Sequence, residues 1–124
     1  MDPGRKLLIG IVGPCASGKS TLVNSLTKRG LNVRHIAQEH SYVPSMWQKI
    51  THPDILIYLD VSYEVTVRRD KLNWTLLEYE EQLRRLQHAR EHADYTVMTD
   101  SITPEDVEMI VLDFLEGAGH PVEP

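Results

Sequence analysis

Apolar and polar positions along the chain change period several times, and each change marks an expected element. Lys6 to Val12 is a short, nearly continuous apolar run, the pattern of a strand covered on both faces. From Ser20 to Arg29 the apolar residues Leu22, Val23 and Leu26 fall on one helical side, and Gly30 is the natural stop. A second strand is expected from Leu31 to Ala37. The segment 38-QEHSYVPSMWQKITHPD-54 is polar and aromatic, is broken by Pro44 and Pro53, and has room for a short helix around Ser45 to Ile50. Irregular segments of this length usually carry function.

Asp54 to Val61 is the clearest strand, because Ile55, Leu56, Ile57, Tyr58 and Leu59 form a buried run closed by Asp60. Ser62 can cap a helix reaching about Asp70. Thr75-Leu-Leu-Glu78 is a capping box, and Trp74 can staple onto Tyr79, so a further helix start is well specified there. Its inward stripe is expected to be Leu76, Tyr79, Leu83, Leu86 and Ala89, ending near His92. A fourth strand follows from Asp94 to Met98. The last helix opens at Thr103-Pro104, buries Val107, Ile110, Val111, Phe114 and Leu115, and ends at Gly117, with a frayed tail expected after it. Alternating strands and helices predict an α/β fold: a small parallel sheet of about four strands with helices on both faces, ligands binding at the carboxyl ends of the strands.

Composition limits the functions that this architecture can serve. A chain of 124 residues suits one domain over residues 1–124, and its 41% apolar and 25% charged content is that of a soluble globular protein. No apolar run approaches the ~20 residues of a membrane span, so no membrane partner is expected. The short apolar segment Leu7 to Val12 runs into glycine and not into a cleavage site, and a lone cysteine, Cys15, rules out an internal disulfide framework; both point to the cytoplasm. A net charge of −5 argues against a nucleic-acid footprint. Arg68, Arg69, Lys71, Arg84, Arg85 and Arg90 do cluster in sequence, but mixed with Glu78, Glu80 and Glu81 they also read as a solvated helical face.

Local capture of phosphate is written in the loop between the first strand and the first helix. Gly13-Pro14-Cys15-Ala16-Ser17-Gly18-Lys19-Ser20 fits G-x-x-x-x-G-K-[ST] in the required strand-to-helix context. The glycines allow a tight turn with inward N–H groups, and the helix N-terminus adds positive potential. In such a loop Lys19 neutralises β- and γ-phosphate charge and the Ser20 hydroxyl binds Mg²⁺. Thr21 closes the stretch Gly13 to Thr21 expected to hold the nucleotide, and is read as a capping or packing residue and not as a metal ligand. Cys15 is either a reactive thiol near a helix N-terminus or a small side chain in a variable position, the second being the simpler account.

These residues resemble the P-loop nucleoside-triphosphate-binding superfamily, and within it the small-molecule kinases: nucleoside and nucleotide kinases, shikimate kinase and adenylylsulfate kinase. GPCASGKST is similar to their loop, 53-PDILIYLDVSYEVTVRRDK-71 to their late strand and arginine-bearing helix, and 93-ADYTVMTDSITPEDVEMIVLDFL-115 to their final strand, loop and helix. The resemblance implies a three-layer P-loop fold, ATP with Mg²⁺, and a small-molecule acceptor. It also implies that Arg68 or Arg69 reaches the transferring phosphoryl group; adjacent helical residues point about 100° apart, so one of the two is expected to do so.

The resemblance further implies a helix and a strand ending in a Walker B aspartate between the second strand and the Leu-Asp-Val strand. Only about 17 residues separate Ala37 from Asp54. Either that element is deleted or Asp60 itself serves as the metal-holding acid, its alternative role being at a helix N-terminus with Ser62. Glu39, just past the second strand, is the other acidic candidate, able to accept an acceptor hydroxyl's proton or orient a metal-bound water; an exposed loop glutamate is the plain alternative. Gln38, His40, Tyr42, Trp47 and Gln48 offer contacts for a small polar or aromatic acceptor, although Trp47 equally suits a core. His88 and His92 lie four apart on a helix without a third ligand at motif spacing and read as surface histidines. Asp100 and Ser101 occupy the loop that holds the adenine edge in the resembled kinases. The reading is therefore a Mg²⁺-dependent, ATP-using kinase, with a nucleotide-binding sensor or regulatory module as the alternative. The absence of Asn-Lys-x-Asp argues against a GTPase switch.

Overall fold

A computed structural model describes residues 7–70 and 73–117 of the chain. Lys6, Lys71 and the tail expected after Gly117 lie outside the described residues. The fold is α/β: four strands in the order β2-β1-β3-β4 make one parallel sheet with helices on both faces. The strands are β1 (Leu8–Val12), β2 (Asn32–His35), β3 (Ile55–Asp60) and β4 (Tyr95–Met98). The helices are α1 (Lys19–Lys28), α2 (Met46–Thr51), α3 (Tyr63–Asp70), α4 (Leu76–His92) and α5 (Pro104–Gly117), with a 3-10 turn at Gln38–His40.

Strand parity divides the core. Ile55, Ile57 and Leu59 point to one face, where Leu22 and Leu26 of α1 and Val107, Val111 and Leu115 of α5 cover them. Leu56 and Tyr58 point to the other, beneath Trp47 of α2 and Leu86 and Ala89 of α4. All six β3 residues are buried, as a strand with neighbours on both edges and helices on both faces requires. Each fully buried Leu or Ile contributes about 1.5–3 kcal/mol.

Two aspartates fasten the amino ends of the central strands. Asp54 accepts from the Leu8 N–H (2.7 Å) and donates its own N–H to the Leu8 carbonyl (2.8 Å). Asp94 repeats the device one strand over, accepting from Leu56 N–H (2.8 Å) and donating to Leu56 O (2.8 Å). Helix ends follow the expected chemistry. Leu31 N–H bonds to Leu26 O and Gly30 N–H to Thr27 O, with Gly30 at φ +87°, a Schellman stop to α1. At α4, Thr75 and Glu78 complete a reciprocal capping box, and Trp74 meets Tyr79 edge-on at 6.0 Å.

Three sequence expectations need correction. The inward face of α4 does not begin at Leu76, which is half exposed; Gln82 takes an inward position because its amide pairs with the Cys15 backbone. The second strand stops at His35, although Ile36 still donates to Ile11 O. His88, read as a surface histidine, is half-buried and engaged: it accepts at 3.0 Å from the indole N–H of Trp47, which takes the core alternative the sequence allowed, and it stacks on His92. Because β2 pairs directly with β1, no strand stands between them, and among the described residues the stretch from Ala37 to Asp54 holds only the 3-10 turn and α2.

Candidate functional site

The loop from Gly13 to Gly18 leaves the carboxyl end of β1 and turns sharply into α1. Its conformation depends on positive φ at Ala16 (+66°) and Gly18 (+96°), and Ser17 N–H closes a turn onto Pro14 O at 3.2 Å. Gly18 is the N-cap of α1, supplies no side-chain cap, and no acidic residue follows in the first turn. The first N–H groups of α1 and the positive end of its dipole are therefore not offset by any carboxylate of the helix itself. They border a cavity of about 540 Å³ whose lining includes Ser17, Gly18, Lys19, Ser20 and Thr21 together with His35, Arg69 and Thr99. Ser17 is buried and its Oγ has no hydrogen-bond partner.

Lys19 is turned inward. Its ammonium donates to Gly13 O (2.6 Å) and Pro14 O (3.1 Å) and pairs with Glu39 Oε2 at 2.8 Å, so its three protons all have acceptors. Both side chains are nearly closed to solvent, at 5% and 4% exposure. The other carboxylate oxygen, Glu39 Oε1, is buried without a partner. Glu39 reaches the loop because β2 lies beside β1 in parallel, which brings the 3-10 turn after β2 alongside the loop after β1.

Arg69 bridges the loop and the residue after β4, donating to Ala16 O (3.2 Å), to Thr99 Oγ1 (2.9 Å) and to Thr99 O. Thr99 is itself held by Asp60 O through its N–H (3.0 Å) and Oγ1 (2.8 Å), so the arginine is anchored at the carboxyl ends of β3 and β4. Arg68 is exposed and does not line the cavity. Ser20 and Thr21 are exposed and do line it. Asp60 lies elsewhere: its side chain follows Leu56 and Tyr58 toward α4, where Oδ1 accepts from Val61 N–H (3.0 Å) and Oδ2 meets Arg90 at 3.1 Å. Burial, then the Asp60 charge, pushes the Tyr58 phenol well above its usual range.

Of the remaining candidates, Gln38 is buried and holds Val43 O, Arg85 O and Trp47 N–H. Tyr42 is exposed beneath the Arg85 guanidinium, and His40 and Gln48 are exposed. Arg84 and Arg85 pair with Glu81. Asp100 accepts from Ser62 N–H at 2.8 Å, just ahead of α3. Gln82 and His35 were not singled out from sequence. His35 carried one signal: it ends a strand at the sheet's carboxyl edge, where ligands bind in such folds.

Burial, then the Lys19 ammonium, holds the His35 imidazole below 6.5. Between its lowered midpoint and 6.5 the folded protein binds fewer protons at this ring than the unfolded chain, so this ring's effect is to lower stability as pH falls through that window. His35→Gln is expected to flatten that part of the pH dependence, read from urea unfolding on both sides of 6.5; an unchanged slope would show that the ring titrates normally.

Compared with known protein families and with curated proteins, the chain matches none.

Proposed function

We propose that the loop Gly13–Ser20 is a phosphate-binding loop of the P-loop kind in a three-layer fold of that superfamily, and that the protein is a Mg²⁺-dependent phosphotransferase using ATP on a small acceptor. One observation carries the reading. The uncapped N-terminus of α1 and the unpartnered, buried Ser17 hydroxyl border a cavity flanked by Lys19 and Arg69. That concentration of donors and positive charge in a largely acidic chain suits a polyphosphate.

The residues fit the ligands in this way. Backbone N–H groups of Gly18 to Thr21 and the Lys19 ammonium would hold the phosphate chain, and the exposed Ser20 hydroxyl on the cavity wall fits a Mg²⁺ ligand. The ion would supply charge neutralisation on the phosphate oxygens. Lys19 would exchange Glu39 for phosphate, and the freed Glu39 carboxylate would then accept the acceptor's hydroxyl proton. Arg69, fixed against Thr99, would stabilise charge on the transferring group.

A second reading, a nucleotide-binding sensor with little or no chemistry, is favoured by one observation: the Asp60 carboxylate is committed to Arg90 and Val61 N–H and is not among the residues bordering the cavity. Calorimetric titration with ATP, ADP and GTP, with and without Mg²⁺, followed by transfer assays on nucleosides, nucleotides and small hydroxy metabolites, separates the two. Mg²⁺-dependent binding with transfer supports the kinase, binding alone supports the sensor, and no binding refutes both. The arginines give a sharper comparison. Arg69→Ala is expected to lower transfer by about 10³-fold, the scale of a catalytic arginine, while Arg68→Ala leaves it within about twofold. Equal effects would remove Arg69 from the mechanism.

A further inference from the structure

Cys15, Glu39 and His40 bring three chemically different ligand atoms together on the side of the loop where Glu39 meets Lys19. The thiol, a carboxylate oxygen and a ring nitrogen all lie within 4.8 Å of one another. The nucleotide reading uses Glu39 but neither the Cys15 thiol nor the His40 ring, and the grouping joins a residue after β1 to two after β2. We propose that it is a binding site for a thiophilic divalent cation of the Zn²⁺ class.

A second observation points to a ligand. Glu39 is nearly closed to solvent, and its Oε1 has no hydrogen-bond partner even though Oε2 is satisfied by Lys19. A buried carboxylate with an unpartnered oxygen costs free energy that a cation would recover, and its Oε2, which Lys19 holds at 2.8 Å, also stands 3.8 Å from His40 Nε2, on the side of the grouping. The thiol is oriented from α4: Gln82 accepts from Cys15 N–H at 3.0 Å and donates to Cys15 Sγ at 3.1 Å, the kind of outer contact that fixes a metal-bound cysteine. His40 is largely exposed, at 63% of its side chain, and leaves an approach from solvent.

The chemistry selects the ion. Thiolate and carboxylate together match a divalent charge, and sulfur with imidazole favours Zn²⁺, Co²⁺ or Cd²⁺ over the oxygen-seeking Mg²⁺ and Ca²⁺. Three protein ligands leave a fourth tetrahedral position to water. Ligand atoms around zinc stand about 3.5 Å apart, so closure on the ion needs a movement on the order of 1 Å, which the exposed His40 ring can provide. Binding forms the metal–sulfur bond and releases the Cys15 thiol proton to the buffer.

The test is a Co²⁺ titration of the full, chelator-treated chain without nucleotide, so that it succeeds or fails independently of the phosphate reading. The expected result is one ion per chain, a thiolate-to-cobalt charge-transfer band, proton release, displacement by Zn²⁺ and no displacement by excess Mg²⁺. Cys15→Ser should abolish the band, and His40→Ala, at an exposed position, should weaken binding at least about tenfold. A missing band, unchanged affinity in either variant, or displacement by Mg²⁺ would overturn the proposal.

Discussion

Lys19→Met is expected to cost about 3–5 kcal/mol of stability, the penalty for removing one partner of a buried ion pair, and to abolish binding of ATP or pyrophosphate. The stability loss arises because Glu39 would be left in a closed site without the ammonium that holds Oε2, Oε1 already lacking a partner. Glu39→Gln should cost much less, since the Lys19 ammonium retains Gly13 O and Pro14 O and gains a neutral acceptor. The double variant Lys19→Met/Glu39→Gln should therefore be more stable than Lys19→Met alone, with a coupling energy of about 0.5–3 kcal/mol. It should still bind no polyphosphate.

The two effects are separable only through the double variant, because failure of the single variant to bind could reflect unfolding. Urea denaturation of all four proteins gives the coupling, and calorimetry on the double variant gives the role of the lysine. Additive stabilities would mean that Lys19 and Glu39 contribute independently. Phosphate binding that survives the loss of Lys19 would remove the main cationic contact from the proposed function.

The parts of this molecule legible in its sequence are those decided within a few residues. The apolar runs of β1 and β3, the Thr75–Glu78 box, the Gly30 stop and Pro104 at the first position of α5 all depend on neighbours along the chain, and each is found where the pattern predicts it. What the sequence hid depends on register. Lys19 and Glu39 are 20 positions apart and meet because β1 pairs in parallel with β2, while Cys15 and Gln82 meet because α4 packs on the sheet face that carries Leu56 and Tyr58. Neither pairing leaves a periodic trace.

Asp60 lies between these cases. Strand parity puts it on the same face as Leu56 and Tyr58, away from the face that α1 covers, and that parity was readable from Ile55–Asp60 alone. Its ion pair with Arg90 was not readable, because it joins a strand end to the last turn of α4. Leu76 illustrates the opposite failure: an apolar residue at helical spacing lies half exposed, while the polar Gln82 takes the buried position because it can satisfy a backbone donor there.

Gly13→Ala is expected to remove phosphate binding and to lower stability by about 1–3 kcal/mol, the cost of forcing a side chain into a filled space. A Cβ at this position would overlap the Leu59 carbonyl oxygen and stand 2.8 Å from Ser17 Oγ. Leu59, next to last in the buried strand β3, is fully buried and paired with Val97 of β4, so it is the loop that must lift from the sheet. That movement would carry away the Gly13 carbonyl that receives the Lys19 ammonium and would shift the N–H groups ahead of α1. Gly30→Ala is the matched control. Gly30 also has a positive φ (+87°), but a Cβ there meets nothing within 4 Å, and it lies at the opposite end of α1 from the cavity. Its cost is backbone strain alone, about 1–2 kcal/mol. The two variants should thus be similarly destabilised while only Gly13→Ala loses pyrophosphate binding, measured well below both melting temperatures. If both lost binding, its failure would follow from general loosening of α1; if neither did, the backbone of this loop would not be the phosphate cradle.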